Sequence, residues 1–339
     1  MRLTGVLGQK RALDQLSAEL QAGRLAHAYL FVGPTGCGRG TTARALFMAA
    51  NCQEQEGEVP CGRCGSCHRL LAGTHEDFVV LAPPEEALSS QIKVEAVREV
   101  IRTLGYAPFG GGIRMVLFRG AEHLNPYSAN ALLKVLEEPP PGNILVLTVQ
   151  DTRAILPTLV SRCRRVNFSP LDGQLIAQEL ERRGVAPAAA QLKAALSGGS
   201  LGRALELDEK ELDQELGQLV GRLQSREGPA GDWRFAEELM RRFRGPKRID
   251  RQGLARALDL LALYFRDAAV AAAGRPQAAL LPPESAPPSG WDLDSALEGF
   301  TQVRAAQERI LMNASPELVL SVLFDRLRRP RGARNAFSQ

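Results

Sequence analysis

The stretch "AYLFVGPTGCGRGTT" (residues 28–42) decides the fold. Five apolar residues of strand type run into a glycine-rich turn, and a helical pattern, "TTARALFMAA" (41–50), follows at once. Strand, glycine loop and helix in that order make a phosphate loop of the form G-x-x-x-x-G-K-[ST]. In such a loop backbone N–H groups wrap the phosphates, the lysine reaches the terminal phosphates and the hydroxyl holds magnesium. Gly33 and Gly38 occupy the two glycine positions, but Arg39 stands where the lysine belongs and Gly40 where the hydroxyl belongs. Taking Gly40 as the second glycine puts Thr41 at the lysine position, so no register restores the motif. An isolated glycine-rich segment is often a turn and nothing more. The flanking strand and helix favour a degenerate nucleotide site.

Three further runs have strand length: "FVVLA" (78–82), "RMVLF" (114–118) and "NILVLTV" (143–149). They show little alternation, as expected of strands buried on both faces of a parallel sheet. Helical patterns separate them: "QKRALDQLSAELQAG" (9–23), "KVEAVREVIRTLG" (93–105) and "SANALLKVLEE" (128–138), the last stopped by Pro139 to Pro141. The succession predicts a doubly wound α/β domain over residues 1–168. Residues 169–208 carry short helical patterns broken by Gly184, Pro187 and "SGGSLG", a small helical domain. Residues 209–329 read as a third, all-α domain. Its Pro-rich insert, "GRPQAALLPPESAPPSG" (274–290), is expected to be a mobile loop. Residues 330–339 read as a disordered basic tail.

The strand "RMVLF" offers a second test of the loop. Loop NTPases place a magnesium-binding Asp at the end of this strand, and hydrolytic ones add a Glu. Here the strand runs into Arg119 and Gly120, and the first acid, Glu122, is displaced. Independent ATP hydrolysis is not expected.

Composition narrows the class. At 45% hydrophobic and 24% charged residues, the 339-residue chain can bury several cores and is not globally disordered. A net charge of +4 permits nucleic-acid contact without demanding it. No charged-then-apolar leader opens "MRLTGVLGQK", and no apolar run approaches the roughly 18–20 residues of a membrane span. The expectation is a cytoplasmic protein with no membrane role, where structural disulfides are rare.

Four of the six cysteines stand close together. "NCQEQEGEVPCGRCGSCHRL" places Cys52, Cys61, Cys64 and Cys67 in a C-x8-C-x2-C-x2-C array, a metal module spanning about residues 52–70. Two consecutive C-x2-C turns aim thiolates at one centre and Cys52 closes the tetrahedron, so structural Zn2+ is the leading reading. An iron–sulfur cluster is the rival, because C-x2-C-x2-C also begins the bacterial ferredoxin run. The fourth cysteine followed by proline that completes that run is missing. His68 reads as a neighbour of the array, and Cys37 and Cys163 as unligated.

Taken together, "VLGQ", "GRLAHAYLFVGP", the cysteine array behind the loop helix, "NALLKVLEEPP" and "LVSRC" resemble the clamp-loader subunits of bacterial DNA polymerase III, members of the AAA+ superfamily. The resemblance covers about residues 5–165 and is weaker through "GGSLGRALEL". It implies a RecA-like AAA+ domain, a helical lid and an all-α collar. Two subunit types of that family carry the array. The gamma/tau type hydrolyses ATP with an intact loop; the delta prime type does not, and keeps a Ser-Arg-Cys motif. Arg39, Gly40, Arg119 and Gly120 at the ATPase positions, with Ser161, Arg162 and Cys163 retained, resemble the delta prime type. The resemblance then implies a hetero-oligomer with gamma/tau and delta subunits, a sliding clamp and primer-template DNA as partners, and ATP only at the neighbouring subunit. It also implies that Arg162 projects to that ATP as a trans arginine finger, ahead of Arg164 and Arg165. The plain reading of "SRCRR" is an exposed basic run. Arg203 stands one residue beyond the family's phosphate-sensing position, where Gly202 sits, and Lys93 and Arg98 are candidates for DNA backbone contact.

Two other functions compete with this one. A divergent ATPase, with Arg39 doing the lysine's work, would hydrolyse ATP alone. A zinc-dependent nucleic-acid-binding protein would bind DNA strongly as a monomer.

Overall fold

The computed structural model describes residues 3, 5–54, 60–84, 91–225, 227–245, 249–287 and 291–328. The strands are β1 (Ala28–Val32), β2 (Phe78–Leu81), β3 (Arg114–Phe118), β4 (Asn143–Val149) and β5 (Arg164–Asn167). They form one sheet in the order β2-β3-β4-β1-β5, every neighbouring pair parallel. Every residue of β1, β3 and β4 is buried, which is why those runs lack alternation.

Side chains of a strand point alternately to opposite faces, so the continuous apolar runs feed two cores. On one face Tyr29, Phe31, Met115, Leu117, Ile144 and Val146 pack with Leu16 of α1 (Lys10–Gln21) and with Leu46 and Phe47 of α2 (Arg39–Ala50). The same core takes in Cys64, Cys67 and Leu70 from α3 (Gly65–Leu71) and the residue before it. On the other face Leu30, Val116, Phe118, Leu145 and Leu147 meet α4 (Val94–Leu104) and α5 (Pro126–Glu137). Asn125 caps α5 by accepting from Ser128 N–H, with Pro126 in the first turn. The short α6 (Pro157–Val160) leads into β5.

β5 departs from the expected four strands. Of "RRVN" only Val166 is buried, so the segment reads as a basic run; its pairing with β1 at the sheet edge makes it a strand.

A buried ion pair ties the β2–β3 end of the sheet to the chain around it. Asp77 accepts from Phe109 and Gly110 N–H (2.9 Å each) and pairs with Arg114 (3.1 Å). Arg114 also donates to the carbonyls of Thr103, Tyr106 and Ala107. Burial alone pushes the Asp77 carboxyl up, but the Gly110 and Phe109 N–H groups and the Arg114 guanidinium outweigh it and hold it below its ordinary 3.8. The folded state therefore binds fewer protons than the unfolded state. Its stabilisation is present above the unfolded value near 3.8 and is lost as pH falls through the lower folded value. Asp77→Ala leaves a buried guanidinium unpaired, for an expected loss of about 3–5 kcal/mol in urea unfolding at neutral pH. A loss below about 1 kcal/mol would contradict this account.

The chain divides into two compact units. The first carries the sheet and runs to Glu179, with Ser197–Ala204; the second comprises Leu180–Leu196 and the chain from Leu205. The remaining helices are α7 (Gly173–Arg182), α8 (Pro187–Leu196), α9 (Leu201–Glu206), α10 (Glu209–Gln224), α11 (Pro229–Arg242), α12 (Arg251–Ala272), α13 (Leu293–Leu311) and α14 (Pro316–Arg328). The second unit has its own core around α12, where Leu258, Leu261 and Phe265 meet Val303, Ile310 and Phe324. Asp232, fully buried, accepts from Arg222 and Arg328.

The Pro-rich segment 274–290 is more ordered than expected over its described part. It forms two short 3-10 turns, and Leu280 and Leu281 N–H donate to the buried carboxylate of Asp267 (2.8 Å each). A buried acid needs donors, and the extended backbone supplies them. Residues 288–290 and the expected tail, 330–339, lie outside the described residues. No helix among the described residues is long and apolar enough to cross a membrane.

Candidate functional site

β1, the glycine loop and α2 follow one another as the phosphate-loop reading requires. Gly36 (φ 76°) and Gly38 (φ 102°) adopt left-handed backbone, which admits glycine at little cost. A Cβ on Gly33 would lie 2.5 Å from the Phe168 carbonyl oxygen, so the loop's first residue must be small. A Cβ on Gly36 would collide with the Ser200 side chain.

Two arginines lie at the loop, Arg39 within it and Arg119 beside Gly40. The Arg119 guanidinium stands over Gly40, its Nε and Nη2 each 3.9 Å from where a Gly40 Cβ would be. Arg39 is half-buried, and burial pulls its guanidinium below its ordinary value against the opposing pull of Cys37 and Glu122. Arg39 Nη1 and Glu122 Oε2 are both buried without a hydrogen-bond partner. At the hydroxyl position of the loop the chain thus has Gly40 with a guanidinium beside it. Arg203 sits in α9, its N–H donating to Ser200 Oγ and a guanidinium nitrogen 3.8 Å from the Gly198 Cβ position. Lys93 and Arg98 are exposed at and on α4.

The cysteine array closes on one point. The sulfurs of Cys52, Cys61, Cys64 and Cys67 all lie within 4.8 Å of one another, against about 3.8 Å for sulfurs at zinc–thiolate distance in a tetrahedron. Cys64 stands at the N-cap position of α3 without a side-chain cap bond, and its N–H donates to Cys61 Sγ at 3.3 Å. Burial pushes the Cys64 thiol up, but N–H groups of Cys67 and Gln53 and the neighbouring thiols bring it down to about 6. Four sulfurs with no carboxylate or imidazole among them suit a closed structural zinc site. Behind the cluster Ser66 Oγ meets His75 Nε2 (3.1 Å), and His75 Nδ1 accepts from Asp77 N–H (3.2 Å). Burial holds the imidazole below its ordinary value. Cys37 and Cys163 stand apart with free thiols, and burial pushes Cys163 up to about 12.

The three arginines after Ser161 have different surroundings. Arg164, in β5, donates to Glu19 of α1 (2.5 Å), which also accepts from the buried Tyr29 hydroxyl (2.6 Å). Arg165 donates to Asn167 (2.7 Å). Arg162 lies in the turn between α6 and β5, its Nη2 2.5 Å from Glu137 Oε1 and its Nη1 3.1 Å from the Thr158 carbonyl. Ser161 Oγ donates to the same carbonyl. Glu137, unremarked in the sequence except within "NALLKVLEEPP", and Glu19 are the additions that geometry brings.

Residues 8–172 match the family described as DNA polymerase III, delta subunit. Over 237 residues the chain is 35% identical to DNA polymerase III subunit delta' of Escherichia coli, covering 70% of each protein. It is 37% identical to subunit delta' of Pseudomonas aeruginosa over 198 residues, 58% of this chain and 60% of that one. Against subunit tau of Escherichia coli it is 34% identical over 220 residues, 63% of this chain but only about a third of the longer relative. Among solved structures it is similar to a gamma subunit-related protein of Thermotoga maritima, with a TM-score of 0.45 at 17% identity, covering 93% of this chain and 99% of that one. At 35% identity over 70% of both proteins, the chain belongs to the delta prime family of DNA polymerase III subunits.

Proposed function

We propose that this chain is a non-hydrolysing clamp-loader subunit. It joins gamma/tau and delta subunits in a hetero-oligomeric ring in the cytoplasm and helps to load the sliding clamp onto primer-template DNA. The ring binds DNA through its backbone, a salt-sensitive and sequence-independent contact. Residues 1–168 stack as the AAA+ domain, 169–208 serve as the lid and 209–329 as the collar. ATP is bound by the neighbouring gamma/tau subunit, and Arg162 reaches it in trans to stabilise charge on the transferring phosphoryl group. Ser161 and Cys163 frame the turn that presents it. Structural zinc at Cys52, Cys61, Cys64 and Cys67 holds the module behind α2.

The observation that carries this reading is the Arg119 guanidinium over Gly40, a cation where a loop ATPase needs a metal. A cation there opposes a magnesium ion, and without the metal the loop cannot run hydrolysis, so Gly33, Gly38, Arg39 and Gly40 serve as scaffold. The isolated chain is therefore expected to show no magnesium-dependent ATPase activity, with or without DNA. Arg39→Lys alone should not create any, since Gly40, Arg119 and Gly120 remain. Turnover by the pure chain that further loop changes abolish would favour the divergent ATPase instead. Co-purification with a gamma/tau subunit, followed by an ATPase assay of the complex, tests the assembly.

A further inference from the structure

The geometry points to Glu137 as the positioning residue for Arg162. This rests on the trans-finger reading and deepens it. Helix α5 ends at Glu137 because Pro139 keeps Glu138 out of helical backbone (φ −125°, ψ 74°). An acid in the last turn of a helix is disfavoured by the helix dipole, so its place there calls for a specific cation. Arg162 is that cation, at 2.5 Å.

A free arginine samples many rotamers, and holding its planar fork in one orientation carries an entropic cost of about 2 kcal/mol. Glu137 on one terminal nitrogen and the Thr158 carbonyl on the other fix the plane before any neighbour arrives. Three of the guanidinium's five N–H groups remain for phosphate oxygens. The pair is open to solvent, with 35% of the Arg162 and 51% of the Glu137 side chain exposed. Its attraction is therefore modest, and it orients the guanidinium without holding it against a polyphosphate. Arg164 and Arg165, whose partners are Glu19 and Asn167, lack this arrangement.

The test uses the loader assembled with gamma/tau and delta subunits, with primed DNA and clamp. At the one site that Arg162 serves, Glu137→Ala is expected to lower turnover about threefold to fivefold, the scale of an exposed ion pair. The loader's total kcat should therefore fall clearly less than with Arg162→Ala, while KM for ATP is unchanged. Glu137→Gln keeps a neutral acceptor and should lose less than about twofold. Combined with Arg162→Ala, Glu137→Ala should cause no further loss, because the group it positions is gone. Gel filtration establishes that each variant enters the ring. If Arg162→Ala slows the loader but Glu137→Ala leaves the rate unchanged or raises it, the positioning role fails while the finger stands. The positioning role fails equally if the double variant loses the full factors of both single ones. If Arg162→Ala itself has no effect, the finger reading fails, and the role of Glu137 with it.

Discussion

Arg162→Ala is expected to leave the chain folded and able to assemble while the DNA- and clamp-stimulated ATPase of the loader falls severalfold. Among the hydrogen bonds described, the Arg162 side chain meets only Glu137 and the Thr158 carbonyl, both at the surface; its backbone N–H bond to Leu159 does not depend on the side chain. Losing an exposed pair costs about 0–1 kcal/mol, too little to unfold a domain. A trans arginine finger, by contrast, contributes about a thousandfold or more at the site it serves. Turnover at the other sites of the ring masks part of that loss, so the total rate falls less than the rate at the one site. Arg162→Lys should rescue poorly, because an ammonium lacks the planar fork. Arg164→Ala is the control. Its guanidinium is tied to Glu19 beside the Tyr29 hydroxyl, so its removal should weaken the α1–β5 contact more than turnover. A wild-type rate from the assembled Arg162→Ala loader would leave this chain a scaffold only.

The second large effect concerns metal. One zinc per chain is expected, and serine in place of Cys52, Cys61, Cys64 or Cys67 should release it. Structural zinc supplies apparent binding free energies of about 10–16 kcal/mol in finger peptides, so the module should not hold its structure without it. Loss should spread inward, because Cys64, Cys67 and Leu70 share a core with Phe47 of α2. Hydrogen exchange should therefore rise across residues 61–75 and in α2, and elemental analysis should read no zinc. Cys37→Ser, outside the cluster, should keep the metal. Iron with sulfide, or a metal-free chain after careful preparation, would overturn the assignment.

The sheet was largely legible from the sequence because its central strands are buried on both faces. β1, β3 and β4 coincide with the apolar runs 28–32, 114–118 and 143–149, and β2 ends one residue earlier than its run. β5 was not legible, since its exposed arginines carry an edge strand whose only buried side chain is Val166. α3 was hidden inside the cysteine array, where ligand spacing masks helical period. The cluster itself could be read because its four cysteines stand at short, metal-type spacings along the chain. The Arg119 guanidinium over Gly40 and the Arg162–Glu137 pair join segments far apart in the chain, and no local pattern encodes them. Sequence marked Arg119 as a missing acid; only the fold makes it a cation over the loop.

The order of strands also governs how the chain is made. β1 lies between β4 and β5, so Ala28 waits for Leu145 and Tyr29 for Arg164, each more than a hundred residues later in synthesis. At ribosomal rates of about 5–20 residues per second, that leaves both edges of this fully buried strand unpaired for several seconds. β2 and β3 can pair sooner, but they join β1 only through β4. The nascent chain therefore presents "AYLFV" as an open adhesive edge until its sheet can close, a window in which chaperones and temperature decide between a finished subunit and an aggregate.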